Sequence, residues 1–109
     1  MREKTKTSVA TGLFFAFCAS AHAADTPVPK AELQRLISGK TIVSAGANLY
    51  YGKDGSYTYN GANPGKYRVD TGRICVDFDN GRARCDQIVK DAGKYYLINQ
   101  QGARFQFAQ

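Results

Sequence analysis

From Lys40 to the end, apolar and polar residues sort into short strands separated by turn signals, and only the stretch before Lys40 has a different period. In Ala31-Glu-Leu33-Gln-Arg-Leu36-Ile37-Ser38 the apolar side chains fall at i, i+3 and i+4, one face of a helix. Pro29 suits the first turn and Gly39 suits a C-terminal stop, so the pattern predicts a helix over 30–38. Asp25-Thr-Pro27-Val-Pro29 reads as an extended leader, because proline fixes φ and biases its neighbours away from helix. The predicted strands are Lys40–Ala45, Ala47–Tyr51, Ser56–Asn60, Lys66–Asp70, the two arms of a hairpin around 73–89, Lys94–Asn99 and Ala103–Ala108. Gly52-Lys53-Asp54-Gly55 reads as a turn and Gly61-Ala-Asn63-Pro64-Gly65 as a longer loop. Turn signals roughly every ten residues fit antiparallel neighbours, since tight turns join no others. The expected fold is therefore mainly β (α+β): one short N-terminal helix, then a 7–8-stranded antiparallel meander, curled sheet or small barrel.

The hairpin Arg73–Cys85 carries its own register. A three-residue loop, Asp79-Asn80-Gly81, pairs Phe78 with Arg82, and Gly81 supplies the positive φ such loops favour. Counting outward from that pair sets Cys75 opposite Cys85, at a Cα separation of about 4.5–5.5 Å that a disulfide tolerates. The same register sets a conflict. Val76 and Phe78 share a face with Arg84 and Arg82, while Cys75 and Cys85 share the other with Asp77 and Ala83. Neither face is apolar throughout.

Composition changes the picture mainly at the N-terminus. Arg2, Lys4 and Lys6 precede an apolar run from Val9 to Cys18, and Ala21-His22-Ala23 offers the small residues of a cleavage site. The run is too short for a membrane span, and the bulky Phe17 before Cys18 argues against lipidation. Residues 1–23 thus read as a secretory signal, 24–29 as the leader and 30–109 as one small domain. Cleavage after Ala23 leaves about 86 residues, and a net charge of about +4 (12 basic against 8 acidic) in place of +6. The mature chain then holds two cysteines and no histidine. A paired set in an exported domain reads as a disulfide. No Ser-His-Asp or Cys-His nucleophile and no histidine-ligated zinc can be assembled.

Other constellations reduce to turns and surface. Asp77-Phe-Asp79-Asn80-Gly81 superficially resembles a calcium loop, but glycine stands fifth and Ile88 twelfth, where an EF-hand requires glycine sixth and glutamate twelfth. Gly52–Gly55 lacks the Gly-Lys-Ser/Thr and following helix of a phosphate loop. Nothing in the spacing brings Asp70, Asp77 or Asp86 together as a hydrolase pair. No metal or cofactor site emerges. The clearest binding signal is the seven tyrosines, because Tyr50-Tyr51 and Tyr95-Tyr96 each put one ring on either side of a strand. Tyr50, Tyr57, Tyr59, Tyr95 and Tyr96, with Arg82 and Arg84, form the candidate binding surface. Lys53, Asp54, Asn63 and Pro64 mark the candidate loops.

The helix ending at Gly39, Asp54-Gly55-Ser-Tyr57, Gly65-Lys-Tyr67-Arg-Val69, Cys75-Val and Arg84-Cys85 together make the chain resemble small exported proteobacterial proteins of uncharacterised function. That resemblance covers nearly all of the mature chain and implies a periplasmic or secreted small β fold, with no catalytic residues to transfer. The expected function is a non-enzymatic binding or accessory protein of the bacterial envelope or host interface. Its partner would be a protein or an envelope polymer such as a glycan or lipopolysaccharide, and nucleic acid is not expected behind a signal peptide. The alternative is an inhibitor of a lysozyme or protease.

Overall fold

The computed structural model describes residues 24–109; the signal sequence expected over 1–23 lies outside them. Strand β1 (Thr26–Pro27) leads into helix α1 (Lys30–Ile37). Eight strands follow: β2 (Lys40–Ser44), β3 (Ala47–Tyr51), β4 (Ser56–Tyr59), β5 (Ala62–Asp70), β6 (Arg73–Phe78), β7 (Ala83–Asp91), β8 (Lys94–Ile98) and β9 (Arg104–Gln106). Each of β2 to β9 pairs antiparallel with its sequence neighbours, so the sheet order is the chain order. The turns explain this simplicity. Ala45-Gly46, Asn60-Gly61 and Ala92-Gly93 hold both central residues at positive φ, the two-residue geometry whose twist matches the flanking strands.

The meander curls into a nearly closed barrel. Its seam is one bridge, with Val43 N–H donating to Ala108 O (2.6 Å) and Ala108 N–H to Val43 O (3.2 Å). β1 supplies an extra pairing: β6 covers the first half of β7, and Thr26 and Pro27 pair with Lys90 and Val89 beyond it. Gly72 makes that docking possible. Its φ is +67°, and a Cβ there would sit 2.7 Å from Pro27 Cβ.

Up-and-down connectivity puts successive turns at opposite ends. At one end α1 buries Leu33 and Ile37 in the core, together with Val28, Ile42, Tyr51, Ile74, Ile88 and Phe107. Glu32 fastens the helix there, accepting from Lys90 Nζ (2.8 Å) and from Tyr95 Oη (2.5 Å). The opposite end carries the turns at Ala45-Gly46, Asn60-Gly61, Asp79–Gly81 and 99–103, and no helix covers it among the described residues.

The mainly-β class and the helix hold, with α1 one residue shorter than expected. Cys75 pairs with Cys85 in the expected register, Cα atoms 4.0 Å apart, and the disulfide is formed. Phe78 N–H donates to Arg82 O across the Asp79–Gly81 loop. One loop is corrected. Residues 62–65 belong to β5, not to a long loop. The strand absorbs one extra residue as a bulge, with pairing shifting between Tyr57↔Gly65 and Tyr59↔Ala62 and Asn63 at φ +47°. A bulge is where a strand admits proline, so the apparent breaker Pro64 sits inside it. Gly65 stays bare for another reason: a Cβ would lie 2.6 Å from Asp77 O on the neighbouring strand.

Candidate functional site: the open mouth of the barrel

Alternation along β7 sends Arg84, Asp86 and Ile88 inward, opposite Val76 and Ile74 of β6, while Cys85 faces outward against Cys75. The two-faced hairpin is thereby explained. Its inner face is apolar towards the helix end and charged towards the open end. Arg84 Nε donates to Asp86 Oδ2 (2.9 Å) and its Nη2 donates to Tyr57 Oη (2.9 Å). The guanidinium also lies 5.8 to 6.0 Å from the ring centres of Tyr57, Tyr59 and Phe78, within cation–π range.

Depth separates the partners electrostatically. Asp86 is almost fully buried, its side chain 5% exposed against 27% for Arg84. Desolvation pushes the Asp86 carboxyl above its ordinary range, more than the charge and hydrogen bond of Arg84 bring it down. Burial also works against the charge on Arg84, but Asp86 and Tyr57 outweigh it and the guanidinium stays charged. Burial raises the phenols of Tyr57 and, more strongly, Tyr51, which packs behind it at 5.3 Å between ring centres.

Two polar atoms at this end are buried without a hydrogen-bond partner among the described residues, Ser44 Oγ and Asp86 Oδ1. Both residues line a cavity of about 180 Å³. Its wall is apolar on the sides (Leu49, Tyr59, Leu97, Phe105), and Asn99, Gln100 and Gln101 stand at its rim. A second hollow of about 230 Å³ shares Tyr59 and Arg84 and adds Asn63, Phe78, Asn80 and Arg82. Arg84 thus stands between two openings at one end of the barrel.

The structure gathers only part of the surface expected from the tyrosines. Tyr59, Arg82 and Arg84 meet at the mouth, and Asn63 reaches it from the bulge. Tyr57 is fully buried, so it is not an exposed contact, and it supports Arg84 from below. Tyr95 faces the helix end and is engaged by Glu32. Tyr96 lies on the outer wall, covered by the Arg104 guanidinium at 3.7 Å, which also binds Asp25 of the leader at 2.8 Å. Tyr50 is exposed on the outside of β3. Lys53 and Asp54 sit in the turn between β3 and β4 at the helix end, where Asp54 accepts from Ser56 N–H and Oγ–H and its carboxyl is held below the usual range. Pro64 is in-strand, its carbonyl accepting from Asp79 N–H. Ser44 and Asp86 were not singled out as a binding pair by sequence. The available signal was that Arg84 and Asp86 fall on the same face of β7 as the apolar Ile88.

No family model, curated protein or solved structure matches this chain. Among the described residues, no cluster of three or more histidine, cysteine or acidic side chains could hold a metal ion, and no helix is long and apolar enough to cross a membrane.

Proposed function

We propose that this chain is a non-enzymatic binding module, exported to the periplasm or beyond, and that the open mouth of the barrel receives its ligand. One observation carries the reading: the hydrogen-bonded pair Arg84 and Asp86 lines a cavity, and two of its lining residues, Ser44 and Asp86, each hold a buried polar atom with no hydrogen-bond partner among the described residues. Buried polar groups without partners cost about 1–3 kcal/mol each, so these two call for a partner in the cavity, which water or a ligand hydroxyl supplies. The disulfide is compatible with an oxidising compartment, and the N-terminal pattern is that of a signal sequence. A carboxylate-pair hydrolase needs two acids on one cleft; Asp86 is the one acidic residue among the described residues that line this cavity.

The inhibitor reading asks for a segment that projects into another protein's cleft. Gly52–Gly55 is instead a tight, self-bonded turn, and Asn63 and Pro64 are held in β5. Amide chemical shifts measured while a library of small polar compounds is added test the proposal. Compounds that bind are expected to shift Ser44, Tyr59, Arg84 and the 99–101 turn. Binders that shift only the outer wall around Val43 and Tyr50, or no binder at all, would overturn it.

A further inference from the structure

We infer that the mouth is a sugar site: it takes one neutral, polyhydroxylated ring, either a free monosaccharide or the terminal residue of a glycan. The inference rests on the reading of the mouth as a ligand site and names the class of ligand. Four features of the cavity select that class.

The first is charge. Arg84 and Asp86 neutralise each other at 2.9 Å. A cationic ligand drawn to Asp86 meets the guanidinium beside it, and an anionic ligand drawn to Arg84 meets the carboxylate. A ligand of no net charge meets neither penalty. The second is the kind of hydrogen bond on offer. Asp86 Oδ1 can only accept when ionised, Ser44 Oγ donates and accepts, and a guanidinium only donates. Arg84 has further N–H groups beyond the two that bind Asp86 and Tyr57. A hydroxyl group is both donor and acceptor, so neighbouring hydroxyls on one ring edge satisfy carboxylate and guanidinium together.

The third is the apolar wall. Tyr59, Phe105, Leu49 and Leu97 line the cavity beside the polar pair and give it an apolar side. A sugar ring is amphipathic in the same sense, with hydroxyls on its edge and C–H groups on its face. The fourth is size. About 180 Å³ is well below the roughly 300–1,000 Å³ of sites that engulf drug-sized ligands. One ring enters; a chain cannot thread through, because α1 fills the far end of the barrel with Leu33 and Ile37.

The test uses the oxidised protein and four sets of probes: methyl glycosides of glucose, galactose, mannose and N-acetylglucosamine; linear oligosaccharides ending in the same units; glucosamine and glucuronate as charged counterparts; and inorganic phosphate. Binding is read by amide shifts at Ser44, Tyr59 and Arg84. At least one neutral glycoside is expected to bind, its charged counterparts at least about tenfold more weakly, with little change between low and high salt. Equal affinity for the monosaccharide and the oligosaccharide identifies a free sugar as sufficient; tighter binding of the oligosaccharide identifies a glycan end. Ser44→Ala supplies the fold control. It removes an unpartnered buried hydroxyl, so thermal stability should be unchanged or higher, while affinity falls about tenfold for one lost hydrogen bond. Phosphate, glucuronate or glucosamine binding best at the mouth would overturn the sugar assignment and leave the mouth a ligand site. Binding of a neutral sugar unaffected by Ser44→Ala would place it elsewhere and overturn the assignment. If no compound of any class perturbs the mouth, the underlying reading fails with it.

Discussion

Arg84 and Asp86 are the residues on which both stability and binding turn, and they pull in opposite directions. Inside the barrel each needs the other, because removing one partner of a buried pair strands the second charge, at a cost of roughly 3–5 kcal/mol when burial is complete. Arg84 is about a quarter exposed, so Arg84→Met should cost about 2–3 kcal/mol. The double change Arg84→Met with Asp86→Leu should recover most of that loss, and urea unfolding of the single and double variants measures the difference. A double variant no more stable than Arg84→Met would show that the carboxylate is not what the arginine supports. The pH dependence has a defined sign. Burial raises Asp86, so its contribution to stability is present at acid pH and is lost as pH rises through its raised value. Burial thus works against the ionised form of Asp86, and Arg84 offsets part of that cost.

Helix α1 shows the same chemistry used for fastening. Its apolar residues Leu33 and Ile37 plug one end of the barrel, and Glu32 ties it to Lys90 and Tyr95. Hydrogen bonds from Lys90 and Tyr95 hold the Glu32 carboxyl below its usual range. A lowered value means that the stabilisation is present above the ordinary carboxylate pKa, about 4.3, and is lost as pH falls through the folded value. Amide exchange in 30–37 should therefore quicken on acidification before the barrel strands respond. Glu32→Gln should show the faster exchange already at neutral pH, with less further change below pH 4; an unchanged acid response in that variant would remove Glu32 as the latch. The helix itself was legible from Leu33, Leu36, Ile37 and Gly39, because period and stop signal are local. The Glu32 latch was not, since its partners lie 58 and 63 residues away.

At the scale of the molecule, a small barrel joined at its seam by one bridge has to be kept closed. The disulfide clasps the β6–β7 hairpin on the outer face and crosses no long loop, its ends being 10 residues apart. Reduction should lower stability by at most about 3 kcal/mol and leave the sheet intact. Alkylation without reductant should leave Cys75 and Cys85 unmodified, and after reduction in denaturant should modify both. Retained stability after reduction, within a few tenths of a kcal/mol, would mean that the clasp constrains little.

Turn chemistry, the helix period and the cysteine register are properties of neighbouring residues and so can be read along the chain: the meander, α1 and the Cys75–Cys85 pairing follow from Gly46, Gly61, Gly81 and Gly93, from the helical spacing and from the Asp79–Gly81 loop. Pro64 was misleading because a bulge depends on what the adjacent strand does. Which face of each strand becomes the interior, and which end of that interior stays open, is a property of closure. It has no local signature, because Ser44 of β2 and Asp86 of β7 meet at one cavity once the sheet has curled round on itself.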